Sequence, residues 1–236
     1  MKSLQVLTPT RKCIFNCPFC ISKTHAHENI FENLYDIDRK KWKRNLEKIL
    51  KEKDDLKTVV ITGTSEPMQD EPCVLDIIHL TRKYRKDVHI EIQTRYYAYK
   101  KVYDLVDVTA YSISSFPYLS KIAIPKSKVR ATIILTDSFN GKTLQDILNT
   151  LHPKVEQITF KVLHDSNGYN LELDTWVKEH STSLKTVTKL KKDIDTYDGS
   201  LSIFFDENCM DALNRYMVFR EDGHLYQDYD SKEAIL

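Results

Sequence analysis

A chain of 236 residues is within the size of a single α/β domain. Its 35 Lys and Arg nearly balance its 34 Asp and Glu, so no global positive field marks a nucleic-acid protein. No run approaches the roughly 20 apolar residues of a membrane helix, and the N-terminus lacks a charged-then-apolar secretion signal. The expectation is a cytoplasmic protein with no membrane partner.

Residues 3–8 (SLQVLT) read as a strand that runs at once into a cysteine-bearing loop, RKCIFNCPFC. Residues 38–53 read as a helix, with Asp38 as N-cap and Trp42, Leu46, Ile49 and Leu50 at helical spacing. The lysines on its other face are a solvated surface rather than a nucleic-acid patch. A strand at 58–62 (TVVIT) leads into GTSEP. A helix at 74–84, a strand at 88–94, a short helix at 100–106 and strands at 108–114 and 129–136 follow. A helix at 144–151, a strand at 157–163 and a helix at 173–180 complete the series. Six βα units precede Thr182, and alternation at this length predicts right-handed crossovers and a parallel sheet. The fold class is therefore α/β, a partial (β/α)6 TIM-like barrel. The tail reads differently, with strands at 201–205 and 215–226 and a hairpin signal at Asp222-Gly223. The division is a core at 1–194 and a short β-rich C-terminal extension of the same domain at 195–236.

The strand faces add a functional hint. In the third strand Val88, Ile90 and Ile92 share one face, which should meet the helices. Glu91 and Gln93 then point into the barrel. The same alternation pairs Arg130 with Thr132 and Thr159 with Lys161. A closed eight-stranded barrel fills its interior with branched apolar residues, so polar inward positions point to an open barrel that holds a ligand.

Five cysteines are an odd number, and three of them, Cys13, Cys17 and Cys20, sit in one C-x3-C-x2-C cluster. This speaks for metal or redox chemistry rather than a disulfide framework. Three metal sites satisfy the pattern. Zinc takes four ligands, with His25 or His27 supplying the fourth in a zinc-stabilised binding module. A fully ligated iron–sulfur cluster would draw on Cys73. The third is a [4Fe–4S] cluster with three cysteine ligands and one open iron.

The loop resembles that of the radical SAM superfamily, C-x3-C-x-Φ-C, with Phe19 as the aromatic residue before Cys20. The resemblance implies that S-adenosyl-L-methionine completes the cluster through its amino and carboxylate groups. The cluster then donates an electron, the sulfonium bond breaks, and a 5′-deoxyadenosyl radical takes hydrogen from a substrate. Gly63-Thr64-Ser65-Glu66-Pro67 after the second strand resembles the family's Gly-Gly-Glu-Pro motif. Glu66 and Pro67 match, while Thr64 and Ser65 stand where the family has glycines. Thr64, Ser65 and Glu66 are thereby implied to bind the amino group, a charge-assisted pairing for the carboxylate. Ser112 and Ser114 resemble the polar strand end that meets ribose or carboxylate. Gln93-Thr94, Arg130 and Thr132 are placed to line the site. The segment Lys161-Val162-Leu163 resembles the border of the adenine, as does the Phe19 backbone.

Under this reading Cys73 is an ordinary buried thiol, and only Cys209 lies in the tail, too few for an auxiliary four-cysteine cluster. His25 and His27 are surface or substrate-side residues, and His164-Asp165 is a surface turn. Arg220, His224 and the tyrosines of the tail are candidates for choosing the substrate. That substrate is a nucleoside or deazapurine, a small molecule or a partner protein, although the near-neutral charge disfavours a large RNA. A reductant such as flavodoxin or ferredoxin is implied.

Overall fold

The computed structural model describes residues 2–9, 13–15, 17–20, 37–161, 202–206, 216–229 and 231–236. His25, His27, Leu163, His164, Asp165, Cys209 and the helix expected at 173–180 lie outside the described residues.

One sheet organises the molecule. Its strands are β1 (Lys2–Leu7), β2 (Leu56–Thr62), β3 (His89–Thr94), β4 (Val108–Ile113), β5 (Lys128–Ile134), β6 (Val155–Lys161), β7 (Ser202–Asp206), β8 (Tyr216–Phe219) and β9 (Leu225–Tyr226). The order across the sheet is β7-β6-β5-β4-β3-β2-β1-β8-β9. Each of β1 to β6 pairs in parallel with the next in sequence. The end strands β7 and β9 do not pair with each other, so the sheet is an open arc rather than a closed barrel.

Helix α1 (Arg39–Glu52) starts where Asp38 accepts the backbone N–H groups of Lys40 at 2.9 Å and Lys41 at 3.0 Å. Its buried stripe is Trp42, Leu46, Ile49 and Leu50. Helix α2 (Glu71–Tyr84) is capped by Asp70 and packs beside α1. Helix α3 (Leu144–Thr150) opens with a capping box between Thr143 and Asp146. The crossover from β3 to β4 holds only a 3₁₀ turn, Lys101–Leu105, where the sequence predicts a short α-helix. Five residues give little more than one turn, too few to repay α-helix nucleation.

The two faces of the sheet differ as the alternation requires. Ile90 and Ile92 are fully buried on the helix-facing side, with Leu4, Val6, Val59 and Ile61 on neighbouring strands. Each such side chain contributes roughly 1.5–3 kcal/mol of burial. On the inner side a polar ladder draws on three strands, β3, β5 and β6. Gln93 Nε2 donates to Glu91 Oε1 at 3.0 Å, Arg130 Nη1 meets Glu91 Oε2 at 2.7 Å, and Arg130 Nε donates to Gln157 Oε1 at 2.8 Å. Ala110 of β4 lies between Gln93 and Arg130 in register, and its methyl group lets the long guanidinium pass.

The strands after residue 201 divide between the two edges of the sheet. Strand β7 continues the parallel run beside β6, while β8 lies parallel against β1 and turns back into β9. Both ends of a growing arc carry unpaired backbone groups, and these strands satisfy them. The turn occurs at the expected Asp222-Gly223. Gly223 has φ 79°, and a Cβ there would lie 3.2 Å from the Cα of Trp42, so conformation and space both demand glycine. Trp42 Nε1 in turn donates to the Arg220 carbonyl at 3.1 Å, which fastens α1 to this hairpin.

Candidate active site

Parallel α/β sheets present ligands at the C-terminal ends of their strands, where loops replace helix-covered surface. A cavity of about 260 Å³ lies there. Cys13, Cys17, Phe19 and Cys20 form one part of its wall, from the loop after β1. Thr64, Ser65 and Glu66 contribute from the loop after β2, and Gln93, Ser112 and Lys161 from β3, β4 and β6. With Ile134 of β5, residues from six strand ends thus meet in one place. Three expected residues do not reach it. Ser114 lies just past β4, where its hydroxyl takes a hydrogen bond from Arg95 at 2.8 Å. Thr132 pairs in register with Ser112 on β5, but the cavity meets that strand at Ile134. Arg130 is held in the inner ladder with Glu91 and Gln157.

The three thiols are half-buried and free of disulfides. Cys20 N–H bonds the Cys17 carbonyl at 3.3 Å and so turns the loop along the cavity wall. The Ile14 N–H donates to Gln69 Oε1 at 2.9 Å and ties the loop to the segment after Glu66. Burial pushes the Cys13 thiol up, with the Phe15 N–H opposing it. Among the described residues no three His, Cys, Asp or Glu side chains converge on a single ion. A donor set of three soft sulfurs spread along a cavity wall fits an iron–sulfur cluster, whose irons are bound one per thiolate. Cys73 does not belong to this set. It is buried on α2 in the apolar core, and burial pushes its thiol up to about 12.

Glu66 is the best-anchored group of the site. It is 4% exposed. Its Oε1 accepts from the Met68 N–H at 3.0 Å and from the Thr94 hydroxyl, and its Oε2 accepts from the Arg95 N–H at 2.8 Å. Burial raises its pKa above the ordinary carboxylate range, and these donors pull it back only in part. A carboxylate fixed by neutral donors in a dry wall is suited to a cationic partner. Gly63 is required by space: a Cβ there would come within 2.6 Å of the Ser65 carbonyl. Thr64, where the resemblance expects glycine, instead sends its hydroxyl to Oε1 of Glu221, a fully buried residue just past β8.

Two residues of this region escape the sequence reading. Arg95 follows β3 directly, and its guanidinium donates to the Cys17 sulfur and to Ser114. Its place one residue beyond Gln93-Thr94 at a strand end is the signal that marks it. Glu221 has no local signal, because it meets Thr64 only through the pairing of β8 with β1. Arg220 and His224, candidates for substrate choice, serve the hairpin. The Arg220 guanidinium lies 3.7 Å from the Tyr226 ring centroid and donates to the carbonyls of Tyr229 and Ser231. The His224 N–H caps Asp222 at 2.9 Å.

Residues 7–114, the span from the end of β1 to just past β4, match the family model of the radical SAM superfamily. The chain carries a radical SAM domain. The domain marks the chain as an enzyme, and members of that superfamily use a [4Fe–4S] cluster and S-adenosylmethionine as cofactors. Among solved structures it is similar to anSMEcpe with bound AdoMet, at 13% identity and TM-score 0.63, over 99% of this chain and 76% of that one. A polyhistidine-tagged form of that protein gives a TM-score of 0.64 at 14% identity over the same shares. SuiB of Streptococcus suis is similar at 12% identity and TM-score 0.57, over 99% of this chain and 63% of that one. At these identities the likeness concerns the fold, a partial TIM-like barrel. No curated protein sequence matches the chain. No helix among the described residues is long and apolar enough to cross a membrane.

Proposed function

We propose that this radical SAM domain holds its cluster through Cys13, Cys17 and Cys20 and cleaves S-adenosylmethionine reductively, to start hydrogen abstraction from an organic substrate. The observation that carries the reading is that three half-buried thiols and the buried carboxylate of Glu66 line one cavity. When bound, the cluster supplies the electron that breaks the sulfonium bond, and the 5′-deoxyadenosyl radical so released takes a hydrogen atom from the substrate.

The chain's own residues do the rest. Glu66, held by Thr94, Met68 and Arg95, receives the amino group of S-adenosylmethionine. Thr64 and Ser65 bring the loop backbone close to it, with Glu221 fixing the Thr64 hydroxyl. Ser112 and Gln93 supply polar contacts from the strand ends, and Phe19 and Lys161 border the remaining wall. The half-enclosed cavity keeps bulk water away from a reactive radical. The substrate is a nucleoside or deazapurine, a small molecule or a partner protein, and a reductant such as flavodoxin or ferredoxin supplies the electron.

Protein purified without oxygen and reconstituted with iron and sulfide tests this. The expected result is about four irons per chain, an EPR spectrum of the reduced state that changes on adding S-adenosylmethionine, and release of 5′-deoxyadenosine. Stoichiometric zinc with no cleavage would overturn it in favour of a zinc-stabilised binding module.

A further inference from the structure

Arg95 is tied down at every level. Its backbone N–H donates to Glu66 at 2.8 Å, its Nη2 donates to the Ser114 hydroxyl at 2.8 Å, and its guanidinium lies 5.4 Å from the Phe15 ring centroid. The remaining terminal nitrogen, Nη1, donates to the Cys17 sulfur. Its Nε is buried with no acceptor. Its guanidinium hydrogen bonds go to the sulfur and the hydroxyl, while the Glu66 carboxylate lies near enough to act on it electrostatically. A half-buried cation thus sits against one thiol of the cysteine loop.

We propose that Arg95 sets the reduction potential of the cluster by donating a guanidinium hydrogen bond to the Cys17 sulfur. This rests on the reading that Cys13, Cys17 and Cys20 hold the cluster. The physics is direct. Reduction adds negative charge to the cluster and its thiolate ligands. A cationic donor on a ligand sulfur stabilises that added charge and raises the potential, as hydrogen bonds and net charge near cluster sulfurs do generally. Arginine suits the position because its planar fork reaches the sulfur and Ser114 together while the face rests on Phe15. A lysine keeps the charge but has no fork. The same residue lends its backbone to Glu66, so one segment after β3 supports both halves of the site.

The test is an EPR-monitored redox titration of reconstituted wild type, Arg95→Lys and Arg95→Met, without S-adenosylmethionine, with iron and sulfide counted in each. Leaving out S-adenosylmethionine separates a hold on the cluster from a hold on the carboxylate of that molecule. Arg95→Met is expected to keep its iron and to shift to lower potential, by at least tenfold in the oxidised-to-reduced ratio, or about 59 mV for a one-electron couple. Arg95→Lys is expected to shift less. An unchanged potential in Arg95→Met at full iron content would overturn the proposal, and so would loss of the cluster from both variants, which would make Arg95 an assembly residue. A wild-type protein that takes up no cluster would instead overturn the reading on which the proposal rests.

Discussion

The two faces of β3 obey opposite rules. Ile90 and Ile92 face the helices, fully buried among apolar neighbours with no polar atom to satisfy. Glu91 and Gln93 face the barrel, where they are held by hydrogen bonds and an ion pair. The helix-facing layer is made for stability. Loose ends occur in both layers: among the described residues Oε1 of Gln5, Nε of Arg95, Oε2 of Glu221 and the hydroxyls of Thr8 and Tyr111 are buried without partners. Buried polar groups without partners cost stability. Of the residues that carry them, Arg95 lines the cavity.

Changes on the two sides should therefore fail in different ways. The largest effect is expected from Cys17→Ala, which should abolish iron uptake and 5′-deoxyadenosine release while leaving the thermal midpoint nearly unchanged, because the thiol is only half-buried. The double change His25→Ala with His27→Ala should retain full iron, and loss of metal there would revive the zinc reading. On the other face Ile92→Ala should cost about 2–5 kcal/mol in denaturant unfolding and spare the affinity for S-adenosylmethionine in whatever protein stays folded. If Ile92→Ala instead weakened binding at unchanged stability, the division between the faces would be wrong.

Glu66→Gln should weaken S-adenosylmethionine binding by roughly tenfold or more, about 1.4 kcal/mol, measured by titration calorimetry of the reconstituted protein. The pH dependence follows from burial, which raises the Glu66 pKa. Only the ionised carboxylate pairs with an ammonium, so affinity should rise as pH passes upward through that raised value and fall below it. Glu66→Gln should flatten this profile.

The smallest effect is expected from Glu221→Gln. Burial raises the pKa of Glu221 above its unfolded value of about 4.3. The native state thus holds the proton more tightly than the unfolded chain. Its contribution to stability is complete below the unfolded pKa and is lost as pH rises through the native one. The amide still accepts from Thr64 and carries no charge, so Glu221→Gln should match wild type in acid and equal or exceed it at neutral pH. Thermal unfolding across pH checks this, and a variant less stable at neutral pH would show that the buried carboxylate is compensated.

Much of this was legible in the chain itself, and the reason is distance along it. Strand alternation, the stripe of α1, the C-x3-C-x2-C spacing and GTSEP are local patterns. Each states its own period or geometry within a few residues, so the parallel arc, the cysteine wall and the place of Glu66 in it were all within reach. Thr132 and Ser114 were harder, because a strand's face is periodic but the depth at which a cavity begins is not. The tertiary structure alone decided which edge takes β7 and which takes β8, that Arg95 meets Cys17 across 78 residues, and that Glu221 meets Thr64 across 157. Those contacts arise where strands line up side by side and where the edges of the sheet are closed. Edge pairing depends on what else is left unpaired in the folded molecule, which no local stretch of sequence records.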